Sequence, residues 1–197
     1  MKVLITGISG FIGKNCLELF PNHIEIVGVY HSSDDINPFL KDKDAKNISL
    51  YKCNLTIENE VKNMIKKIGN DFTHCIYLAS NVNIGLSIQE PQKDLIMNAV
   101  SLINLLKHYS FDKFIYMSSA GVYDGLSGKV DVNTKLNPTN PYCISKLASE
   151  QYVKYYKKIG NIKNYYILRL GGAYGMYSEE KFITKLLIDL CIYNKKI

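Results

Sequence analysis

Residues 1–13, MKVLITGISGFIG, decide the fold: the apolar run Lys2–Thr6 breaks directly into Gly7, Gly10 and Gly13 at three-residue spacing. An apolar run that short, ending in glycine, reads as a buried strand, and residues 11–20 then show helical spacing up to Pro21. Where a strand turns tightly into a helix, each glycine has a separate task. Gly7 allows the turn, Gly10 lets the backbone approach a pyrophosphate, and Gly13 permits close helix–sheet packing. The helix N-terminus adds unsatisfied N–H groups and a partial positive charge, which suit an anion. The spacing is GxxGxxG, not the commoner GxGxxG, and a glycine-rich turn without a ligand is the competing reading.

The rest of the chain repeats the strand–helix alternation. Strands are expected at Glu25–Tyr30, 48–53, 74–79 (HCIYLA), 113–118 (KFIYMS) and 165–170 (YYILRL). Helices are expected at Glu58–Ile68, 94–109, 141–159 and 181–193, with a polar loop from the strand Glu25–Tyr30 to Asn47. On the helix 94–109, Leu95, Met97, Leu102, Leu105 and Leu106 form the apolar side. Strict alternation implies right-handed crossovers and a parallel sheet covered on both faces, an α/β doubly wound, Rossmann-like fold. Such sheets bind ligands at the carboxyl ends of their strands, where the winding reverses.

A chain of 197 residues with 47% hydrophobic and 21% charged residues fits one globular domain, 1–197. The net charge of +6 comes mostly from scattered lysines. Lys41, Lys43 and Lys46 alternate with Asp42 and Asp44, a solvated face and not a concentrated nucleic-acid surface. The five cysteines (Cys16, Cys53, Cys75, Cys143, Cys191) are widely separated, without the spacing of a metal site, as expected for free thiols in a reducing cytoplasm. The N-terminus has no signal-peptide layout and no 18-residue apolar segment occurs, so a soluble cytoplasmic protein is expected, with no membrane partner.

A second constellation lies in Asn140-Pro141-Tyr142-Cys143-Ile144-Ser145-Lys146. Asn140 is a good N-cap and Pro141 suits the first helical position, which sets Tyr142 and Lys146 one turn apart on one face. A free tyrosine titrates near 10, and a neighbouring ammonium is expected to lower that value by roughly 1–3 units, towards general acid–base work. Ser118 and Ser119 end the preceding strand at the ligand edge, where a hydroxyl can steady charge on a reacting carbonyl oxygen. Strand-end capping is the plainer reading for these serines. Fifteen tyrosines also make a chance YxxxK common.

Taken in order, TGxxGFIG, SSAxVY at residues 118–123, and YxxxK with its tyrosine 23 residues after Ser119 resemble the extended short-chain dehydrogenases. Within these, the chain resembles the NAD-dependent epimerase/dehydratase family acting on nucleotide sugars, over essentially its whole length. The resemblance implies Ser119 and Tyr142 as the proton-handling pair, and Lys146 as the partner of the nicotinamide ribose. It implies cofactor contacts from Gly7, Gly10, Phe11, Ile12 and Gly13, from Leu78, Ala79 and Ser80, from Tyr142 and Lys146, and from Asn98 in MNAVSLINLL. Asn54-Leu55 stands where many members have Asp-Leu beside the adenine. Residues 83–98 look like the corresponding stretch of UDP-galactose 4-epimerases. The family often dimerises through the helices here at 94–109 and 141–159.

Several positions depart from the family pattern. Strand two ends in Tyr30-His31-Ser32-Ser33, where members usually carry an aspartate for the adenosine ribose. That ending resembles NADP-using keto-sugar reductases, yet Asp34 and Asp35 follow and no arginine is at hand, so NAD and NADP both stay open. Ala120 and Gly121 replace the Asp-Glu of 4,6-dehydratases, which argues against dehydration. In 169–175, similar to RxxNVYG, Gly172 replaces the asparagine that meets the substrate diphosphate. Members also continue past this chain's last residue into a small substrate-binding domain, so a truncated chain is expected. The leading expectation is a nucleotide-sugar 4-epimerase. An NADPH-dependent keto-sugar reductase and a non-catalytic dinucleotide-binding protein are the alternatives.

Overall fold

The apolar runs become six parallel strands: β1 (Lys2–Thr6), β2 (Glu25–Tyr30), β3 (Ile48–Lys52), β4 (His74–Tyr77), β5 (Phe111–Ser119) and β6 (Ile162–Leu170). The structure is a computed structural model that describes residues 1–32, 36–42 and 47–178. The sheet order is β3-β2-β1-β4-β5-β6, so the chain winds outward one way from β1 and returns to β1's other side with β4. The winding therefore reverses between β1 and β4, and their carboxyl ends open the crevice in which such sheets bind ligands. Register places Thr6 beside Val29 and Tyr77, and Tyr77 beside Tyr116.

Because β1 is central, its two faces go to different layers. Val3 and Ile5 pack with Ile8, Leu17, Ile24, Ile26 and Ile36, beneath α1 (Phe11–Leu19) and α2 (Ile36–Asp42). Leu4 packs on the other face with Val61 and Met64 of α3 (Glu58–Ile68), and with Leu102, Leu105 and Leu106. Val153 and Tyr156 of α7 (Pro141–Lys158) close that layer. Burial on both faces explains why β1 and β2 read as unbroken apolar runs.

Helices depart from the sequence reading in two places. The expected loop before Asn47 contains α2, anchored by one fully buried side chain, Ile36, with Pro38 tolerated in its first turn. The expected helix 94–109 is preceded by α4 (Ile84–Gln89) and begins earlier, as α5 (Pro91–Leu95). It then passes through a π-helical turn, Ile96–Val100, into α6 (Ser101–His108). The wide turn rotates the apolar stripe, so Leu102, Leu105 and Leu106 are buried while Leu95 is exposed. β5 and β6 begin earlier than expected, β3 and β4 end earlier, and α7 stops one residue short, at Lys158. The expected helix 181–193, Ser33–Asp35 and Cys191 lie outside the described residues. Among the described residues, no helix is long and apolar enough to cross a membrane.

Candidate active site

A cavity of about 450 Å³ opens at the reversal between β1 and β4. Its floor is the glycine loop. Gly7 has φ +67°, and a Cβ there would lie 2.7 Å from the Ala79 nitrogen. At Gly13 a Cβ would lie 2.4 Å from the Ile8 carbonyl oxygen. Both glycines are therefore held by backbone packing. Gly10 is different: it is exposed, lines the cavity, and a Cβ would meet only the Gly7 oxygen, at 3.3 Å. No side chain caps α1 at Gly10 and its first turn holds no acidic residue, so the partial positive end of the helix is open to an anion.

Thr6 ties the two sides of the crevice together, a role the sequence reading missed. Its hydroxyl is fully buried and accepts from the amides of Leu78 and Ala79, both at 3.2 Å. Leu78, Ala79 and Ser80 line the cavity beside Phe11 and Ile12, as does Met97 from the π-helical turn. At the far end stand Tyr30, His31, Ser32, Asn54 and Leu55. Asn54 is committed locally, its side-chain oxygen accepting from Thr56 N at 3.1 Å and Thr56 Oγ1 at 2.7 Å. Tyr177 also lines this end and stacks edge-on against Phe39. A tyrosine so far along the chain gave no sequence signal.

Asn98 stands elsewhere than expected. It is 1% exposed and does not line the cavity. Its Oδ1 accepts from Asn81 N at 2.7 Å, and its Nδ2 donates to Asp94 at 3.0 Å and to Ser145 at 2.8 Å. The π-helical turn swings it inward, where a backbone amide, a carboxylate and a hydroxyl engage both of its side-chain polar atoms.

Ser119, Tyr142 and Lys146 gather at the neighbouring strand end. Continuing the β4–β5 register past Tyr77–Tyr116 sets Ser119 level with cavity-lining Ser80. Asn140 caps α7 by accepting from Cys143 N at 3.0 Å, with Pro141 in the first turn, as the spacing requires. The Ser119 hydroxyl accepts from Gly121 N at 3.1 Å and lies near enough to the Tyr142 phenol to favour its ionised form. Lys146 is 3% exposed, donates to the Met117 carbonyl at 2.7 Å, and sits 5.1 Å from the Tyr116 ring centroid.

The expected electrostatics are reversed. Burial pushes the Tyr142 phenol above its ordinary value, and the nearby Ser119 hydroxyl offsets only part of this. Burial also pulls Lys146 down to about 8, opposed by the negative charges of Asp94 and Glu150. The ammonium is aimed at the Met117 carbonyl and lies 6.0 Å from the Tyr142 ring centroid, so it does not dominate the phenol. Tyr142 is therefore held protonated at neutral pH.

A buried ion pair supports the trio. Glu150, one further turn along α7, is fully buried; Arg169 of β6 donates to it through Nε at 3.0 Å and Nη2 at 2.7 Å. Ser118 Oγ donates to the same carboxylate at 2.6 Å, and Arg169 also donates to the Tyr123 hydroxyl. Among the described residues, no group of three or more His, Cys, Asp or Glu side chains could hold a metal.

The model of the NAD dependent epimerase/dehydratase family matches residues 3–193. A Methanocaldococcus jannaschii relative, provisionally named UDP-glucose 4-epimerase, is 30% identical over 203 residues, covering 98% of this chain and 64% of that protein. The dTDP-D-glucose 4,6-dehydratase of Dictyostelium discoideum is 30% identical over 215 residues, covering 99% and 49%. Among solved structures, the UDP-glucuronic acid 4-epimerase from Bacillus cereus, in complex with NAD, superposes with a TM-score of 0.81 at 24% identity, covering 99% of this chain and 64% of that one. The chain thus spans about half to two thirds of the length of these relatives.

Proposed function

This chain belongs to the NAD-dependent epimerase/dehydratase family, and from that premise we propose that residues 1–197 form the dinucleotide-binding unit of a cytoplasmic nucleotide-sugar 4-epimerase. The observation that carries the reading is the junction of an uncapped helix N-terminus, on a 450 Å³ cavity, with the Ser119–Tyr142–Lys146 cluster one strand away, its lysine buried and its serine and tyrosine partly so. The cavity residues fit a dinucleotide. Gly10 admits a pyrophosphate onto the start of α1, where Phe11, Ile12 and Gly13 supply the first-turn amides, and Tyr30, His31, Ser32, Asn54 and Leu55 surround the adenosine. When bound, the nicotinamide supplies hydride acceptance and return.

The chain's own residues handle the proton. Lys146 spends one of its three N–H donors on Met117, which leaves two for the ribose hydroxyls. Tyr142, protonated at rest, donates to a sugar keto oxygen and takes the proton back from the hydroxyl in the reverse direction. Ser119, beside the phenol, shares the charge on the reacting oxygen. The exposed Leu95 and Ile96, with Ile144, Tyr152 and Tyr155 of α7, form the face through which we place a homodimer.

A second reading, an NADPH-dependent keto-sugar reductase, is favoured by one observation: β2 ends in Tyr30, and among the described residues no carboxylate lines the cavity beside His31 and Ser32. Exchange of UDP-glucose and UDP-galactose with catalytic NAD, against net oxidation of NADPH at 340 nm, separates the two. Tyr142→Phe should lower either turnover by about 10²- to 10⁴-fold while leaving dinucleotide affinity within twofold. Unchanged turnover would remove Tyr142 from the chemistry, and binding without turnover in the unsubstituted chain would leave a binding protein.

A further inference from the structure

We propose that Asp94 is a positioning residue of this site: its buried carboxylate is the counter-charge that keeps Lys146 an ammonium, and its hydrogen bonds lock α7 to the loop after β4. Asp94 is 1% exposed. Its Oδ1 accepts from Asn81 Nδ2 at 2.7 Å and Asn98 Nδ2 at 3.0 Å, and its Oδ2 accepts from Ser145 Oγ at 2.6 Å. Every group bonded to it is a donor, which suits an acceptor-only carboxylate, and every donor is neutral. Hydrogen bonds satisfy its lone pairs and leave its charge uncancelled.

The two acidic groups near Lys146 differ in that respect. Glu150 is forked by Arg169, so the field of that pair is largely cancelled. Among the described residues, Asp94 makes no ion pair, and Ser145, which it holds, precedes Lys146 in sequence. Lys146 is itself buried, and its charge is costly without an opposite one nearby. The charged and titratable groups around it are Tyr142, Cys143 and Glu150 on α7, Tyr116 on β5, Tyr77 on β4, Arg169 on β6, and Asp94 on α5. Asp94 is the one whose charge no bonded cation offsets. The same carboxylate fixes geometry, because Asn81 follows cavity-lining Ser80 and Asn98 Oδ1 holds the Asn81 amide.

The inference rests on Lys146 being the ammonium of the proposed site, yet its test needs neither cofactor nor substrate. In protein labelled with [¹³C]lysine, the Cε resonance of Lys146, assigned by its loss in Lys146→Arg, should titrate near pH 8. In Asp94→Asn the midpoint should fall by about one pH unit or more, and in Asp94→Glu it should stay near the original value. An unmoved midpoint in a folded Asp94→Asn variant overturns the proposal, since a purely structural role lowers the melting temperature and leaves the midpoint in place. If Asp94→Asn does not fold well enough to titrate, melting temperatures close the cycle. The substitution should cost more in the original chain than in a Lys146→Met background, and equal losses in both overturn the proposal. Absence of dinucleotide binding would sink the reading of the site and leave these outcomes unaffected.

Discussion

Alanine at Gly10 and at Gly13 should have opposite consequences, although both residues belong to one glycine loop. At Gly13 a Cβ would stand 2.4 Å from Ile8 O, 2.6 Å from Ile8 C and 2.7 Å from Gly7 O, all backbone atoms. Overpacking costs about 1–3 kcal/mol, and an obstruction made of backbone puts this site at about 3. Alanine inside α1 returns about 1 kcal/mol of helix propensity, leaving a net loss of about 2 kcal/mol. For a domain of this size that lowers Tm by about 4–8 °C. At Gly10, φ is −76° and a Cβ meets only the Gly7 oxygen, at 3.3 Å. The poorer N-cap, about 0.5–1 kcal/mol, is offset by a similar gain from the stiffer unfolded chain, so Tm should move by less than about 2 °C. The methyl group instead occupies the approach of the pyrophosphate, and dinucleotide affinity should fall at least about tenfold. Thermal melts and calorimetric titration of both variants check the pair. A Gly13→Ala chain as stable as the original, or a Gly10→Ala chain with unchanged affinity, would refute the division of the loop into scaffold and contact.

Arg169→Met should destabilise the chain by about 3–5 kcal/mol in urea unfolding, because it strands the fully buried Glu150 carboxylate. A loss below about 1 kcal/mol would mean that Glu150 is not ionised there. Lys146 titrates near 8 folded against 10.5 unfolded, so between those values the unfolded chain binds more protons and the Lys146 contribution to stability rises with pH. Lys146→Met should therefore be more stable than the original chain by about 2–3 kcal/mol at pH 7.5, and the advantage should shrink as pH rises above about 8 and be mostly gone by about pH 10. An advantage independent of pH would assign the effect to packing.

Much of the fold is legible in the sequence because parallel strands buried on both faces, such as Val3–Leu4–Ile5, leave continuous apolar runs bounded by turn residues. α2 was hidden because it is only seven residues long, holds Pro38, and buries Ile36 fully while Phe39 and Leu40 pack on the core only partly. The π-helical turn at Ile96–Val100 breaks the 3.6-residue period, which is why Leu95 was read on the apolar side; the same turn carries Asn98, expected from the family resemblance to touch the cofactor, into a buried hydrogen-bond network. Of the residues expected around the dinucleotide, those in the loops after β1, β2, β3 and β4 do line one cavity. Spacing alone brings Tyr142 and Lys146 onto one helix face. It could not reveal that Lys146 Nζ is held by the Met117 carbonyl, or that burial sets the phenol's proton affinity. Asp94 carries no motif, and its part emerges only when Asn81, Asn98 and Ser145 converge on it in space.

The central claim is that the cavity between the ends of β1 and β4 is a dinucleotide site, and a ligand titration of the 197-residue chain tests it most directly. At about 100 times the dissociation constant, a ligand that binds only the folded state adds about 2.7 kcal/mol, which for a domain of this size raises Tm by about 5–11 °C. NAD or NADP should produce that shift, and the tenfold or greater loss of affinity in Gly10→Ala should cut it by about half or more at the same concentration. No shift with either dinucleotide, up to millimolar concentration, would contradict the account.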